Sequence, residues 1–126
     1  MSTKYPVVPK CNWLGGLGGR YNDTRGNEWS VARLVHLSKD LKPFDLPLAA
    51  IDLHNLVWQI DGMVEFVYHA EKTHAADLSI PIILSYRGEI MDGWHRIARA
   101  ISEERTTIKA VRFEHYIEPD ERPRES

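Results

Sequence analysis

Cysteine is almost absent from this sequence. The single cysteine, Cys11, excludes an internal disulfide, and with it the small disulfide-stapled folds of many secreted domains. A lone thiol is a candidate nucleophile, but a nucleophilic cysteine needs a base beside it, and no histidine is recognisable as its partner. We therefore interpret Cys11 as a structural or incidental thiol.

The sequence also lacks an excess of charge of one sign and any long hydrophobic run. Sixteen Lys plus Arg residues against eighteen Asp plus Glu residues give a formal net charge of −2. Nonspecific nucleic-acid binding usually depends on a net positive charge, so any contact with DNA has to be local. No apolar stretch has the length of a signal peptide or a membrane helix, which predicts a cytoplasmic protein without membrane contact.

What is present indicates one compact domain. The 126 residues are 43% hydrophobic and 10% aromatic, which is enough to bury a single core. We divide the chain into a Gly- and Trp-rich arm with a helix (1–45), a central domain (46–113) and a loosely wrapping acidic tail (114–126). The Gly15–Gly19 run lacks the Lys-Ser/Thr ending of a phosphate-binding loop, and an irregular packed segment is favoured over a flap that closes on a ligand.

Apolar periodicity predicts helices and strands in alternation. Ser30 is placed to cap a helix over 29–41, and an extended apolar pattern predicts a strand over 46–53. The next predicted helix covers 61–77 and begins with Asp61 as its cap. Its predicted buried side comprises Val64, Phe66, Val67, Ala70, His74 and Ala75.

The second half of the chain continues this alternation. A nearly continuous apolar run over 81–86 predicts a central strand that is covered on both faces. Residues 87–89 are typical of a hairpin turn into a short strand over 90–91, which leads into a helix over 93–103 and a last strand over 106–113. The predicted fold class is α+β, a small mixed β-sheet packed with helices.

The most informative segment is the start of that last helix, which reads Asp92-Gly93-Trp94-His95-Arg96. The first amides of a helix lack intrahelical partners, and the macrodipole adds partial positive charge. A glycine there allows close approach of an anion, and a phosphate is the anion that such a site suits. The pattern predicts a phosphate site in which His95 is a candidate acid or base and Arg96 a bidentate ligand.

Each of these residues also has a structural alternative. Arg96 at four residues from Asp92 is spaced for a surface ion pair, and His95 can be satisfied by a backbone carbonyl. Asp92 is placed to cap the helix, and it is also a candidate for orienting His95 or Arg96 during catalysis. Trp94 either stacks on a nucleotide base or packs in the core.

The order of these features also matches a known family. A proline-led apolar strand (81–84), a Gly-containing turn (87–89) and a helix opened by Gly-x-His-Arg (93–96) follow one another. In these features the chain resembles the ParB/sulfiredoxin superfamily, which includes ParB N-terminal-like domains and ParB-like nucleases. The resemblance implies a small mixed α/β nucleotide-binding domain whose ligand is ATP or CTP with Mg²⁺. It implies that the nucleotide is held by Gly93, Trp94, His95 and Arg96.

Departures from the family pattern exclude some of the activities found in the superfamily. Trp94 stands where sulfiredoxins carry their catalytic cysteine, which excludes a sulfiredoxin-type reductase. ParB proteins that clamp DNA carry a Gly-Glu-Arg-Arg-like helix start and a helix-turn-helix, and neither is found in this sequence. Free serine kinases of the superfamily share Asp-Gly-x-His-Arg and use upstream acidic residues as base and metal ligands, for which Asp52 and Asp61 are the candidates. The catalytic candidates are thus His95, Asp92 and Asp52.

Three functions fit these observations. The first is a nucleotide-binding enzyme that hydrolyses ATP or CTP or transfers a phosphoryl group, by positioning and charge stabilisation. The second is a DNA-associated module with a local basic strip, and the third is a non-catalytic interaction protein or homodimer that uses its tryptophans. The strip would comprise Arg20, Arg25, Arg87, Arg96 and Arg99, and the tryptophans would be Trp13, Trp29 and Trp58. We rank the nucleotide-binding enzyme first.

Overall fold

The computed structural model describes residues 19–123, which form helices packed on a small mixed sheet. The strands are β1 (Arg20–Asn22), β2 (Glu28–Ser30), β3 (Phe44–Pro47), β4 (Ile82–Leu84), β5 (Ile90–Asp92) and β6 (Thr107–Arg112). The helices are α1 (Val31–Ser38), α2 (Met63–Ala75) and α3 (Trp94–Ser102). This architecture confirms the predicted α+β class. Between residues 19 and 123, no helix combines the length and the apolar character that crossing a bilayer requires.

Strand β4 lies inside a four-stranded sheet, as its apolar sequence predicts. The strand order is β3-β6-β4-β5, in which β4 runs parallel to β6 and the other neighbouring pairs are antiparallel. Ile82, Ile83 and Leu84 are all buried. Because successive side chains of a strand point to opposite faces, burial of all three requires both faces of the sheet to be covered.

Two hydrophobic clusters provide that cover. On one face, Ile82 belongs to a cluster with Ile97 of α3. On the other face, Ile83 belongs to a cluster with Leu34 of α1 and Trp29 of β2. Helices α1 and α3 therefore lie on opposite sides of the sheet, and burial of these side chains is the main source of their stability.

The segment after β6 is tied to β2 and α1, whereas the sequence predicts a loosely wrapping tail. The indole Nε1 of Trp29 donates to the Ile117 carbonyl at 2.7 Å, and the Ser30 amide donates to Asp120 Oδ2 at 2.7 Å. The prediction is wrong for residues 114–123. Asp120, one of the acidic residues that indicate a solvated tail, accepts a hydrogen bond from the amide of Ser30, the cap residue of α1.

The capping predictions have two outcomes. Ser30 caps α1 as predicted, because its Oγ accepts a hydrogen bond from the Arg33 amide at 3.4 Å. The prediction for Asp61 is wrong, since α2 has Gly62 as its cap residue. The Asp61 carboxylate instead accepts from Nε2 of Gln59, within the irregular segment before the helix.

The predicted strand over 46–53 is shorter than expected. Strand β3 ends at Pro47, and a 3-10 helix over Leu48–Ala50 follows it. Leu48 is nevertheless buried in the cluster that contains Ile97. The apolar run therefore spans the end of a strand and a 3-10 helix. Apolar content alone did not distinguish these two kinds of backbone.

Helix α2 buries a different side from the one predicted. Val64, Phe66 and Val67 are 41%, 54% and 45% exposed, and the rest of the predicted buried side is exposed as well. The one buried residue of this helix is His69. Helix α2 packs against α3, and the side that meets α3 carries polar aromatic side chains, which an apolar periodicity does not detect.

Candidate functional site

Gly93 joins β5 to α3 in a backbone conformation that favours glycine. Its φ is +121°, and a Cβ at this position would lie 2.3 Å from Cγ2 of the buried Ile82. Strand β4 thus leaves no room for a side chain here. Packing of the helix start on the sheet is by itself sufficient reason for this glycine, beside the anion approach inferred from the sequence.

The first turn of α3 has no side-chain cap among the described residues. Gly93 is the cap residue, so the predicted capping role of Asp92 is wrong. The Asp92 carboxylate instead accepts a hydrogen bond from Nη2 of Arg96 at 2.7 Å. The partial positive charge of the helix start is therefore not offset by a capping carboxylate.

Arg96 faces the protein. Its Nη1 donates to the carbonyls of Ile80 at 3.1 Å and Pro81 at 2.7 Å, while Nη2 donates to Asp92, and the side chain is only 13% exposed. The pairing with Asp92 that the spacing allows is present, but it is largely buried. Arg96 therefore ties the start of α3 to the chain that enters β4, and these bonds occupy three of its five N–H donors.

His95 contacts His69, which lies on α2 and was not among the candidates chosen from the sequence. Nδ1 of His69 is 2.8 Å from Nε2 of His95, and the two ring planes differ by 21°. At this distance the two nitrogens share one N–H, so one ring donates and the other accepts. The two residues are 26 positions apart, and only the packing of α2 on α3 brings them together.

The indole of Trp58 covers both imidazoles. It stacks on His69 with ring centroids 4.3 Å apart and on His95 with centroids 4.5 Å apart, with interplanar angles of 9° and 18°. Tyr68 presents its ring edge to His69 at 5.0 Å. Trp58 comes from the irregular segment before α2, and a large aromatic residue in a stretch without periodicity was the one available sequence signal for it.

Both imidazoles are held neutral near pH 7. Burial is the main cause that lowers the pKa of His95 from 6.5 to about 4; the charges of Lys72 and Arg96, and that of His69 once it is protonated, act in the same direction. Burial also lowers the pKa of His69, although the Glu65 carboxylate opposes this. The pair is therefore uncharged in the free protein, and a nearby anion would favour its protonation.

The imidazole pair and the start of α3 line one groove of about 740 Å³. Lys72 of α2 and Arg20 of β1 line the same groove and add positive charge, while Tyr21 and Trp94 add aromatic surface. A volume of this size lies within the range of small-molecule sites. The combination of cations with aromatic surface suits a ligand that has both anionic and planar apolar parts.

The structure separates the predicted catalytic residues. His95 and Asp92 both line the groove, whereas Asp52 lines a different cavity. The Asp52 carboxylate accepts hydrogen bonds from the His54 amide at 3.0 Å and from Nδ2 of Asn55 at 3.1 Å, so it stabilises a local turn. Asp52 therefore does not line the groove that contains His95 and Asp92.

The arginines of the predicted DNA-binding strip line three separate cavities. Arg20 and Arg96 line the groove, Arg25 and Arg87 line a second cavity, and Arg99 lines a third. No one of these three cavities is lined by all five arginines, and the basic strip stays a prediction.

The structure describes two of the three tryptophans of the interaction hypothesis. Trp29 is 4% exposed and is not presented to a partner, and one face of Trp58 is occupied by the histidines. Trp13, together with Cys11 and the glycines of residues 15–18, lies outside the described residues. The tryptophan surface inferred from the sequence is therefore not formed by Trp29.

Comparisons with protein-family models, with curated proteins and with solved structures find no match to this chain. The resemblance to the ParB/sulfiredoxin superfamily accordingly rests on the motif over 81–96. The case for a function rests on the geometry of the groove.

Proposed function

We propose that this protein binds a nucleotide, ATP or CTP accompanied by Mg²⁺, in the groove at the start of α3. One observation carries the proposal: an uncapped helix start, an imidazole pair and the cationic side chains of Lys72 and Arg20 line a single groove. This combination favours anionic oxygen atoms. The proposal agrees with what the resemblance to the ParB/sulfiredoxin superfamily implies.

Lys72 and Arg20 are the cations that we assign to the phosphates. Lys72 is exposed, and Arg20 is exposed with its guanidinium 3.8 Å from Glu28, which is a weak and screened pairing. Arg96 instead donates hydrogen bonds to Asp92 and to two backbone carbonyls. Its role in the proposal is to hold the helix start in place while the amides face the ligand.

The nucleoside has aromatic surface available in the same groove. Tyr21 and Trp94 line it, and both are partly buried. Base stacking on such side chains stabilises binding without selecting strongly between bases. Mg²⁺ would be held largely through the phosphates, as is usual for nucleotide-bound magnesium.

Hydrolysis or phosphoryl transfer is the chemistry that we assign to His95. An imidazole at the start of a helix can act as a general acid, which in its protonated form donates a proton to the phosphate oxygen that leaves when the terminal phosphoryl group is transferred. Asp92 acts indirectly, by holding Arg96. Sulfinic acid reduction is not part of the proposal, because Trp94 occupies the position of the sulfiredoxin cysteine.

A thermal shift assay tests the binding. Mg²⁺ with ATP or CTP should raise the melting temperature, since a ligand at a hundredfold excess over its Kd stabilises by about 2.7 kcal/mol. Lys72→Ala should reduce this rise by weakening phosphate binding. Lys39→Ala, at the end of α1 and outside the groove, is the matched control and should leave the rise unchanged.

The absence of a shift with every nucleotide would contradict the proposal. It would favour the interaction hypothesis instead, on the basis of apolar side chains that line or border α2 and are 54–72% exposed, namely Leu56, Met63 and Phe66. Equal shifts in Lys72→Ala and Lys39→Ala would place the nucleotide outside this groove.

A further inference from the structure

We propose that His69 is a positioning residue that enables His95 to take up a proton when the phosphates bind, so that nucleotide binding is coupled to proton uptake. The proton comes from solvent and goes to a ring nitrogen of His95, and no other bond is made or broken. This inference rests on the proposed nucleotide site and adds to it the protonation of a ring nitrogen of His95.

The hydrogen bond between the two rings defines how the proton is accommodated. In the neutral pair, a single N–H lies in the 2.8 Å contact, and only one of the two outer ring nitrogens carries a hydrogen. When His95 becomes an imidazolium, its Nε2–H donates to Nδ1 of His69 and its Nδ1–H becomes a second donor. His69 thus supplies the acceptor that a buried, charged His95 requires.

Burial is the main reason why His95 is uncharged in the free protein, and the cations that face the pair act in the same direction. Lys72 on α2 and Arg96 on α3 disfavour a further positive charge, and Arg20 of β1 lines the same groove. On the acidic side, Glu65 on α2 favours the charged form of His69. Asp92, which lines the groove, is paired with Arg96.

Phosphate oxygens in this groove would offset the cations and the positive end of α3. The charged imidazole would then become the favoured form, because an opposite charge nearby raises the pKa of a histidine. Asp77 is the other carboxylate that lines the groove. Its hydrogen bonds from the Ser79 amide and hydroxyl are local, so this residue does not supply the pair with an acceptor.

Stacking by Trp58 keeps the two rings in register. The indole of Trp58 lies within 4.5 Å of both imidazole centroids and is nearly parallel to both rings. Rotation of either imidazole out of this orientation would break a stacking contact. The pair is therefore held in the orientation that the hydrogen bond needs before any ligand binds.

Titration calorimetry of MgATP and MgCTP in two buffers of different ionisation enthalpy measures the protons taken up on binding. The wild-type protein should take up as much as about one proton, and its affinity should fall by up to about tenfold per pH unit as the pH rises above neutrality. His95→Gln reports any contribution from the nucleotide itself. His74→Gln, at an exposed position on α2 and outside the groove, is the matched control.

Two substitutions at His69 separate positioning from general packing. His69→Gln retains a carbonyl acceptor for His95 and should preserve the uptake. His69→Leu fills the space without an acceptor, and it should lose the uptake and bind about tenfold more weakly, because a hydrogen bond to a charged group is lost. Ring-nitrogen NMR of the wild-type protein, which depends on no variant, should show hydrogens on both nitrogens of His95 at saturation.

The outcomes distinguish this inference from the function it rests on. Nucleotide binding without proton uptake, or uptake in His69→Leu equal to that of the wild type, would overturn the inference and leave the nucleotide site standing. No binding of either nucleotide, seen both as absent heat and as an absent melting shift, would overturn both.

Discussion

Replacing Gly93 by alanine should destabilise this protein severely, for two reasons that the structure separates. A residue with a side chain at φ +121° carries backbone strain of about 1–3 kcal/mol. The added Cβ would also lie 2.3 Å from Cγ2 and 2.7 Å from Cβ of Ile82, which is fully buried and cannot swing away. Overpacking of this kind costs about 1–3 kcal/mol more.

The sum, about 2–6 kcal/mol, is a large part of the 5–15 kcal/mol that typically stabilises a domain. Urea denaturation followed by tryptophan fluorescence gives the free energy of unfolding of each variant. Gly88→Ala is the matched control, because its φ is +87° but the nearest atom to its added Cβ is Nη1 of Arg112 at 3.7 Å. It should show only the backbone cost, about 1–2 kcal/mol.

Equal losses in the two variants would refute the reasoning. They would mean that β4 yields to the added methyl group, so that crowding against Ile82 is not what requires glycine at position 93. The approach of a ligand would then be the better explanation for that residue. A Gly93→Ala protein with no cooperative unfolding transition would agree with the upper end of the expected loss.

Two further predictions concern the charged groups around this junction. Arg96→Met should lower the free energy of unfolding by about 2–3 kcal/mol, since Asp92 and two carbonyls lose their donor, whereas Arg105→Met at an exposed ion pair should change it by less than about 1 kcal/mol. Acid should destabilise the protein through His95, because the unfolded chain binds a proton below pH 6.5 while the folded pKa is about 4. The loss begins below pH 6.5 and is complete near pH 4; it corresponds to about 3 kcal/mol, or about 1–2 kcal/mol after solvent screening at this half-buried ring. The free energy of unfolding, measured by urea denaturation at a series of pH values, should fall less steeply with acid in His95→Gln than in the wild type. An equal pH dependence in the two proteins would contradict the assignment to His95.

Local sequence signals predicted the elements on either side of the junction. Ser30 before an amphipathic stretch predicted a capped helix, and the apolar run at 81–86 predicted a strand covered on both faces. The turn at Gly88 and the helix that begins after Gly93 were also found where the sequence indicated. These features depend on interactions within a few residues, which is why a single sequence contains the information for them.

Local sequence signals predicted only some of the residues of the candidate site. His95, Asp92 and Arg96 belong to one local motif, and the structure places them together. His69, Trp58 and Lys72 come from other segments, and their contribution depends on how α2 packs against α3. Hydrophobic periodicity pointed to the wrong side of α2, because the buried contact with α3 is made by imidazole and aromatic rings rather than by aliphatic side chains.

The sequence by itself therefore determined the class of fold, the inner strand and the helix start on which the proposed function depends, since each follows from short-range periodicity and turn chemistry. Tertiary structure alone decided which groups surround that helix start. It directed Arg96 toward two carbonyls and Asp92, and it placed a second imidazole against His95 beneath an indole. Such contacts join residues distant along the chain, and burial and hydrogen-bond satisfaction select them only once the elements have packed.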